Sequence, residues 1–201
     1  MTKGILLVIS GPSGVGKGTV MKKLFEKRKD LYMSVSATTR VKREGETEGV
    51  SYHYITSERF AQIRAEDGFL ENAEFCGNCY GTLKSEVFER LEKGINVVLE
   101  IEVLGAMQVK EKFPQGVFIY VCPPSISELK KRLTERRTET PEALKKRLES
   151  AEWELTQIGK YDYLVINDDI EATAEQINSI IEAEHLSSKR CLAEIERKIF
   201  S

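Results

Sequence analysis

The chain lacks the features that mark several protein classes. No apolar run exceeds six residues, the longest being 5–9 and 117–122, against the ~20 needed to cross a bilayer as a helix. No membrane partner is therefore expected. Only residues 5–9 form an apolar stretch between Lys3 and Ser10, short of the about 7 to 15 residues of a signal-peptide core, so a cytoplasmic location is expected. There is no charge excess either: 30 Lys and Arg stand against 32 Asp and Glu, a net charge of −2. That removes the main sequence argument for a nucleic-acid partner. Neither an internal repeat nor a low-complexity tract is visible. Four cysteines, Cys76, Cys79, Cys122 and Cys191, are expected as free thiols in a reducing compartment. No staple is needed, because a 22.8 kDa chain buries about 70% of its unfolded surface on folding.

What is present is an alternation of strand and helix patterns. Apolar, β-branched runs fall at 5–10, 32–36, 51–55, 97–101, 117–122 and 163–167, each of strand length. Ser125 and Glu128 form a capping box that opens one helix, and Thr140 followed by Pro141 opens another, with Leu144, Leu148, Ala151, Leu155 and Ile158 on one face. Gly94 closes a short helix carrying Val87, Phe88 and Leu91, and 171–186 reads as a helix with Ala174, Ile177 and Ile181 inward. Strands alternating with helices predict an α/β fold whose parallel sheet is covered on both faces. Residues 32–82 break the rhythm and predict an inserted α+β lobe. The core is then 1–31, 83–124 and 160–201, within one domain spanning 1–201. Residues 125–159, with Arg132, Arg136, Arg137, Arg147, Lys145 and Lys146 around a Thr-Glu-Thr-Pro turn, predict a basic helical hairpin suited to cover anions. Segment 161–188 holds seven acids and no Lys or Arg, and 187–201 turns basic; both read as solvated faces.

Chemistry enters at Gly11-Pro12-Ser13-Gly14-Val15-Gly16-Lys17, which follows the first strand and leads into a helix with Val20, Met21, Leu24 and Phe25. Glycines there let successive backbone N–H groups turn inward around phosphate oxygens, and Lys17 reaches the outer phosphates. Gly18 stands where most such loops carry Ser or Thr, and Thr19 is the nearest hydroxyl. Glu100 and Glu102 stand at the end of the fourth run, expected on the same side because strand side chains alternate, where a Mg²⁺ shell needs carboxylates.

A second set of motifs is more specific. Ser34-Val-Ser-Ala-Thr-Thr-Arg40, Arg43-Glu-Gly-Glu46, Gly49-Val-Ser-Tyr52, Phe69-Leu-Glu71, Gly77-Asn-Cys-Tyr80-Gly-Thr82, Glu100-Ile-Glu102 with Gly105, Pro123-Pro-Ser125, the basic hairpin and Val165-Ile-Asn167-Asp168-Asp169 occur in that order. Together they resemble the guanylate kinases over residues 4–186. The resemblance implies a P-loop core with a GMP-binding lobe and a mobile lid, transferring a phosphoryl group from ATP to GMP, and to dGMP, with Mg²⁺. It implies ATP contacts along 11–19 and at Asn167, and GMP contacts from Ser36, Arg40, Arg43, Tyr52, Glu71, Tyr80, Thr82, Glu100 and Glu102. Lys17, Arg40, Arg132, Arg136 and Arg147 take catalytic roles, and Thr19 and Glu100 meet Mg²⁺ directly or through water. The residue types suit these tasks: arginine forks grip a dianionic phosphate, and Glu71 accepts from the N1–H and 2-amino donors that distinguish guanine from adenine. The chain departs from the family at Cys79 (Tyr), Leu104 (Gln) and Arg137 (Gly). Cys79 creates a CxxC with Cys76, yet no second pair accompanies it, so neither zinc nor redox work is expected. ATP and GMP are the expected partners, homo-oligomerisation is left open, and the rival reading is a non-catalytic interaction module built on the same lobe.

Overall fold

A computed structural model describes residues 3–134 and 141–200, so Arg136, Arg137 and Thr140 lie outside the described residues. The apolar runs assemble a five-stranded sheet in the order β2 (Leu31–Met33), β7 (Asn96–Glu100), β1 (Leu6–Ser10), β8 (Val117–Cys122), β9 (Tyr163–Ile166), and every pairing in it is parallel. Because strand side chains alternate, β1 feeds two cores. Ile5, Leu7 and Ile9 pack with Val20, Met21 and Leu24 of α1 (Lys17–Lys27) and with Ala174, Ile177 and Ile181 of α7 (Ile170–His185). Leu6 and Val8 pack on the other face with Val87 and Leu91 of α3 (Lys84–Glu92) and with Val103, Ala106 and Val109 of α4 (Val103–Lys112). Leu6, Leu7, Val8 and Ile9 are at most 1% exposed, and burial of each such side chain is worth about 1.5–3 kcal/mol.

The irregular stretch forms its own sheet, ordered β4 (His53–Tyr54), β3 (Ala37–Thr38), β6 (Asn78–Leu83), β5 (Phe69–Phe75). Its small core is Ala37, Phe60 of α2 (Ser57–Ala65) and Phe69, with the two phenyl rings stacked at 4.4 Å. The expected strand over 32–36 divides: residues 31–33 pair with β7 in the main sheet, residues 37–38 begin the second sheet, and 34–36 cross between them. The β5–β6 hairpin and α4 were not expected from sequence. The hairpin carries Glu71, Asn72 and Glu74, polar residues that hide a strand pattern, and α4 is short with an apolar stripe of only Val103, Ala106 and Val109.

Two helices, α5 (Ile126–Thr134) and α6 (Pro141–Leu155), occupy the described part of the segment expected as a basic helical hairpin. The capping box is made, since Ser125 Oγ accepts from the Glu128 N–H at 3.1 Å. Leu129, Leu133, Leu148 and Ala151 pack the two helices together. Ile158 falls in a separate 3₁₀ turn rather than continuing α6. The basic 187–201 stretch is a helix, α8 (Ser188–Phe200), with no buried residue. No helix among the described residues is long and apolar enough to cross a membrane.

Candidate active site

The loop between β1 and α1 is shaped by two glycines. At Gly11 (φ 155°) an added Cβ would lie 2.3 Å from the Val121 carbonyl oxygen, so the loop leaves β1 hard against β8. Gly16 adopts the left-handed conformation (φ 97°) at the N-cap of α1 and offers no side chain to the first helical N–H groups. Those donors and the positive end of α1 are therefore available to an anion. Lys17 Nζ donates to the carbonyls of Gly11 and Pro12, folding its side chain back over the loop.

Asn167, expected near the ATP base, braces the loop in this structure. It is 3% exposed, its Nδ2 donates to the Val15 carbonyl at 2.7 Å, and Thr173 Oγ1 donates to its Oδ1 at 3.2 Å. Arg132 donates to the Val15 and Asn167 carbonyls at 3.4 and 3.3 Å and to Glu128 at 3.0 Å. Its guanidinium is thus docked on the loop, and α5 lies over Gly14, where an added Cβ would meet Leu133 Cδ2 at 2.7 Å. Arg147 is half-buried on α6.

A cleft of about 250 Å³ opens beside the loop, lined by Gly11, Ser13, Lys17, Glu100, Ile101, Glu102 and Glu154. Glu100 ends β7 opposite Ile9, at the carboxyl edge where parallel sheets gather ligands. Glu102 lies beyond the strand, at the N-cap of α4, so strand alternation does not set its direction; the turn into α4 brings it to the same cleft. Burial pushes Lys17 below the usual lysine value, opposed by Glu100, Glu154 and Glu102. Glu100 and Glu154 are pushed up by burial, against the pull of Lys17. Glu154, near the end of α6, was missed in the sequence because it reads as one acid on an ordinary amphipathic helix. Thr19 and Glu100 line different openings. Thr19 lines a different groove with Lys22, Lys23 and Asp168, while an added Cβ at Gly18 would sit 3.9 Å from Glu100 Oε1.

In the second sheet, the hairpin register shifts between Phe69 and Glu71, setting Glu71 opposite Thr82. A bulge of this kind re-aims a side chain. Glu71 is 7% exposed and Thr82 1%, and Thr82 Oγ1 donates to Glu71 Oε1 at 2.6 Å. Burial pushes the Glu71 carboxyl up, opposed by the Thr82 hydrogen bonds, and Glu102 adds to the rise. Gly105 of α4 approaches so closely that an added Cβ would be 3.1 Å from Glu71 Oε2.

Arg40, Tyr52 and Tyr80 converge at the edge of this lobe. The Arg40 guanidinium lies 5.4 Å from the Tyr52 ring centroid, and Tyr52 meets Tyr80 edge-on at 5.9 Å. Glu46 holds the Arg40 member of this group and ties it to Arg43 and Tyr54, a role sequence reasoning did not assign. Its Oε1 accepts from Arg40 at 2.6 Å, and its Oε2 accepts from Tyr54 OH at 2.7 Å and the Arg43 N–H at 2.8 Å. The Arg40 guanidinium beside it is the main cause holding the Glu46 carboxyl down to about 2. Arg43 is exposed and Ser36 half-buried. The spacing of Glu46 three residues after Arg43 was the only available signal. The four cysteines are free.

Comparison with known proteins gives one answer. A protein-family model described as Guanylate kinase matches residues 3–184. A curated guanylate kinase of Clostridium perfringens (strain SM101 / Type A) is 53% identical over 182 residues, covering 90% of this chain and 84% of that protein. One from Oceanobacillus iheyensis is 50% identical over 188 residues, covering 94% and 91%. Among solved structures, a guanylate kinase from Anaplasma phagocytophilum superposes with a TM-score of 0.76 at 34% identity, covering 99% of this chain and 96% of that one.

Proposed function

The chain belongs to the guanylate kinase family, and from that premise we propose how its residues divide the work of moving a phosphoryl group from ATP to GMP. The reaction is ATP-dependent phosphorylation of GMP: an oxygen of the GMP phosphate bonds to the γ-phosphorus of ATP, the bond to the bridging oxygen breaks, and ADP and GDP form. Little covalent work falls to the protein in such a transfer, so its residues act by alignment and charge.

The N–H groups of the 11–19 loop that make no bond within it, together with the positive end of α1, cradle the ATP phosphates, and Lys17 leaves its resting carbonyls to bind the transferring group. Arg40, Arg43, Tyr52 and Tyr80 hold the GMP phosphate, with Glu46 keeping the Arg40 fork in place. Arg132, Arg136 and Arg147 of the lid close over the transferring group and exclude water. Asn167 serves the ATP side by bracing the loop at Val15.

Glu71 reads the base. A buried carboxylate has four acceptor directions, and Thr82 uses one of them, leaving acceptors for guanine N1–H and the 2-amino group. With the Thr82 proton directed at Glu71, Ser36 is the better donor to guanine O6 or N7. Glu102 lines the phosphate cleft, and its charge bears on both Glu71 and Glu154. The same contacts admit dGMP.

The donor set fits Mg²⁺. Glu100 and Glu102 offer hard carboxylate oxygens beside the phosphate loop, and no group of three His, Cys, Asp or Glu among the described residues encloses an ion. Mg²⁺ characteristically takes one or two carboxylates, substrate phosphates and water. Glu100 is the proposed protein contact, through water, and Thr19 is the weaker candidate because it faces another groove. When bound with ATP, the ion supplies neutralisation of phosphate charge.

One observation carries this reading: Glu71 is a deeply buried carboxylate whose direct hydrogen-bond partner is Thr82. Burial without a paired cation is costly, and its retention at a bulge facing α4 is explained by a ligand with two adjacent donors. The test is a panel of GMP, dGMP, AMP, CMP and UMP with ATP and Mg²⁺. Conversion of GMP and dGMP with AMP far behind is the expected result; equal use of AMP would contradict the role given to Glu71.

A further inference from the structure

Glu86 lies in the first turn of α3, just after the chain returns from β6 of the lobe to the core. Its side chain is 9% exposed, and Arg90, one turn along α3, forms an ion pair with it at 3.8 Å, too long for a hydrogen bond. Hydrogen bonds from three other segments converge on it instead. Tyr32 OH, from core strand β2, donates to Oε1 at 2.7 Å. The Val35 N–H, in the 34–36 crossing toward the lobe, donates to the same oxygen at 3.3 Å. His53 Nε2, on lobe strand β4, lies 2.9 Å from Oε2, while its other ring nitrogen is 3.5 Å from Glu48.

Gln108 and Lys112 of α4 tie the core to β5, whereas Glu86 acts where the chain itself crosses. The lobe is attached to the core by two crossings, 34–36 and the junction of Leu83 with Lys84. Glu86 grips the first, stands directly beyond the second, and holds a strand from each side. Burial together with this carboxylate pushes the Tyr32 phenol up to about 12, so the hydroxyl keeps its proton and remains a donor. Nothing in the chemistry assigned to ATP or GMP uses Glu86. Burial of a carboxylate is costly unless it is paired and hydrogen-bonded, and Glu86 has the Arg90 pair as well as these hydrogen bonds to both sides of the crossing.

We propose that Glu86 is a positioning residue for phosphoryl transfer, pinning the lobe to the core at the angle that presents the GMP phosphate to ATP. The proposal rests on the lobe being the GMP site. Displacement of a reacting atom by about 1 Å costs on the order of 10²-fold in rate, so a pin at the root of the lobe acts on turnover more than on affinity. Each nucleotide still finds its own ligands when the pin is lost; the two phosphates no longer meet in line.

The experiment compares Glu86→Ala, Glu86→Gln, His53→Ala and Arg40→Ala in the full chain. It measures GMP and ATP dissociation constants by calorimetry, kcat, and the urea midpoint. Glu86→Ala is expected to lower kcat about 10- to 100-fold while both dissociation constants stay within about threefold. Glu86→Gln keeps an acceptor oxygen for Tyr32 and Val35 and should restore kcat to within about fivefold of the parent. His53→Ala removes only the strap to β4 and should cost kcat about 3- to 10-fold, which keeps the test decisive if Glu86→Ala does not fold. A lowered urea midpoint with unchanged kcat per folded molecule would overturn the proposal, as would loss of GMP affinity equal to the loss in kcat. Arg40→Ala separates the premises: if GMP binds it as tightly as the parent, the lobe assignment fails and takes this proposal with it. If GMP binding weakens there while the Glu86 and His53 variants turn over normally, only the pin is wrong.

Discussion

The loop at residues 11–17 and the lobe around Arg40 are both proposed to hold phosphate, and they are built from opposite materials. The loop is mostly backbone: its donors are N–H groups, its shape comes from glycine conformation, and one buried amide, Asn167, ties Val15 in place. In the lobe the donors are side chains, Arg40, Tyr52 and Tyr80, and the Arg40 fork is held by a carboxylate, Glu46, that also accepts from Tyr54. A backbone site survives most substitutions and fails at a few positions. A side-chain site degrades through its supports, so remote residues matter more there.

That contrast is broken or sharpened by a graded set of variants. Lys17 is the loop's only proposed side-chain donor, and Lys17→Ala should leave a folded protein whose turnover falls by at least about 10²- to 10³-fold, read by steady-state kinetics beside a thermal melt. Unchanged turnover would remove the phosphate cradle from the account. Next in size, Glu71→Gln replaces one acceptor with an NH₂ that faces a guanine donor in a buried site. GMP should lose about 10- to 100-fold in kcat/KM with ATP unaffected. In third place, Glu46→Ala frees the Arg40 fork without touching either nucleotide, and KM for GMP should rise about 5- to 10-fold at nearly constant KM for ATP. If KM for GMP does not move, the lobe does not depend on its supports.

The smallest expected effect is on pH. Glu71 is raised from its ordinary value of 4.5 and Glu46 is lowered to about 2, so acidification protonates Glu71 first. A protonated Glu71 presents a donor to guanine, so on acidification GMP affinity should fall before the Arg40–Glu46 pair loses its charge. The stability signs differ. The depressed Glu46 contributes stability that is present above about pH 4.5 and lost only as pH falls toward about 2. The raised Glu71 destabilises the fold when charged, so its protonation adds stability on acidification. Calorimetric GMP titrations down an acid pH series, with melts at each step, should show binding weaken at a higher pH than that at which the Arg40–Glu46 contribution to stability is lost.

The two regions also differ in how far their sequence reveals them. The loop is contiguous, so strand, glycines, lysine and helix stand in one line of text, and β1, β8, α1, α3 and α7 follow from apolar periodicity. The lobe's chemistry depends on register. Nothing local says that a bulge sets Glu71 opposite Thr82, or that Glu46 returns to Arg40; the residues were identified through resemblance, and their mutual geometry was not. Polar positions on β5 concealed the hairpin, and Glu154 and Glu86 are acids whose meaning comes only from what folds against them. Asn167 was legible as a site residue, while its hydrogen bond to Val15 depends on β9 ending beside the loop.

Division of labour between the two regions is the central claim, and binding of each nucleotide alone tests it most directly. ATP and GMP are titrated separately into the parent, Lys17→Ala and Glu71→Gln proteins by calorimetry with Mg²⁺ present. The account predicts that Glu71→Gln weakens GMP by about tenfold or more and leaves ATP within about twofold, while Lys17→Ala weakens ATP and spares GMP. If Glu71→Gln weakens ATP, or if each variant weakens both nucleotides alike, the sites are not separate and the account is contradicted.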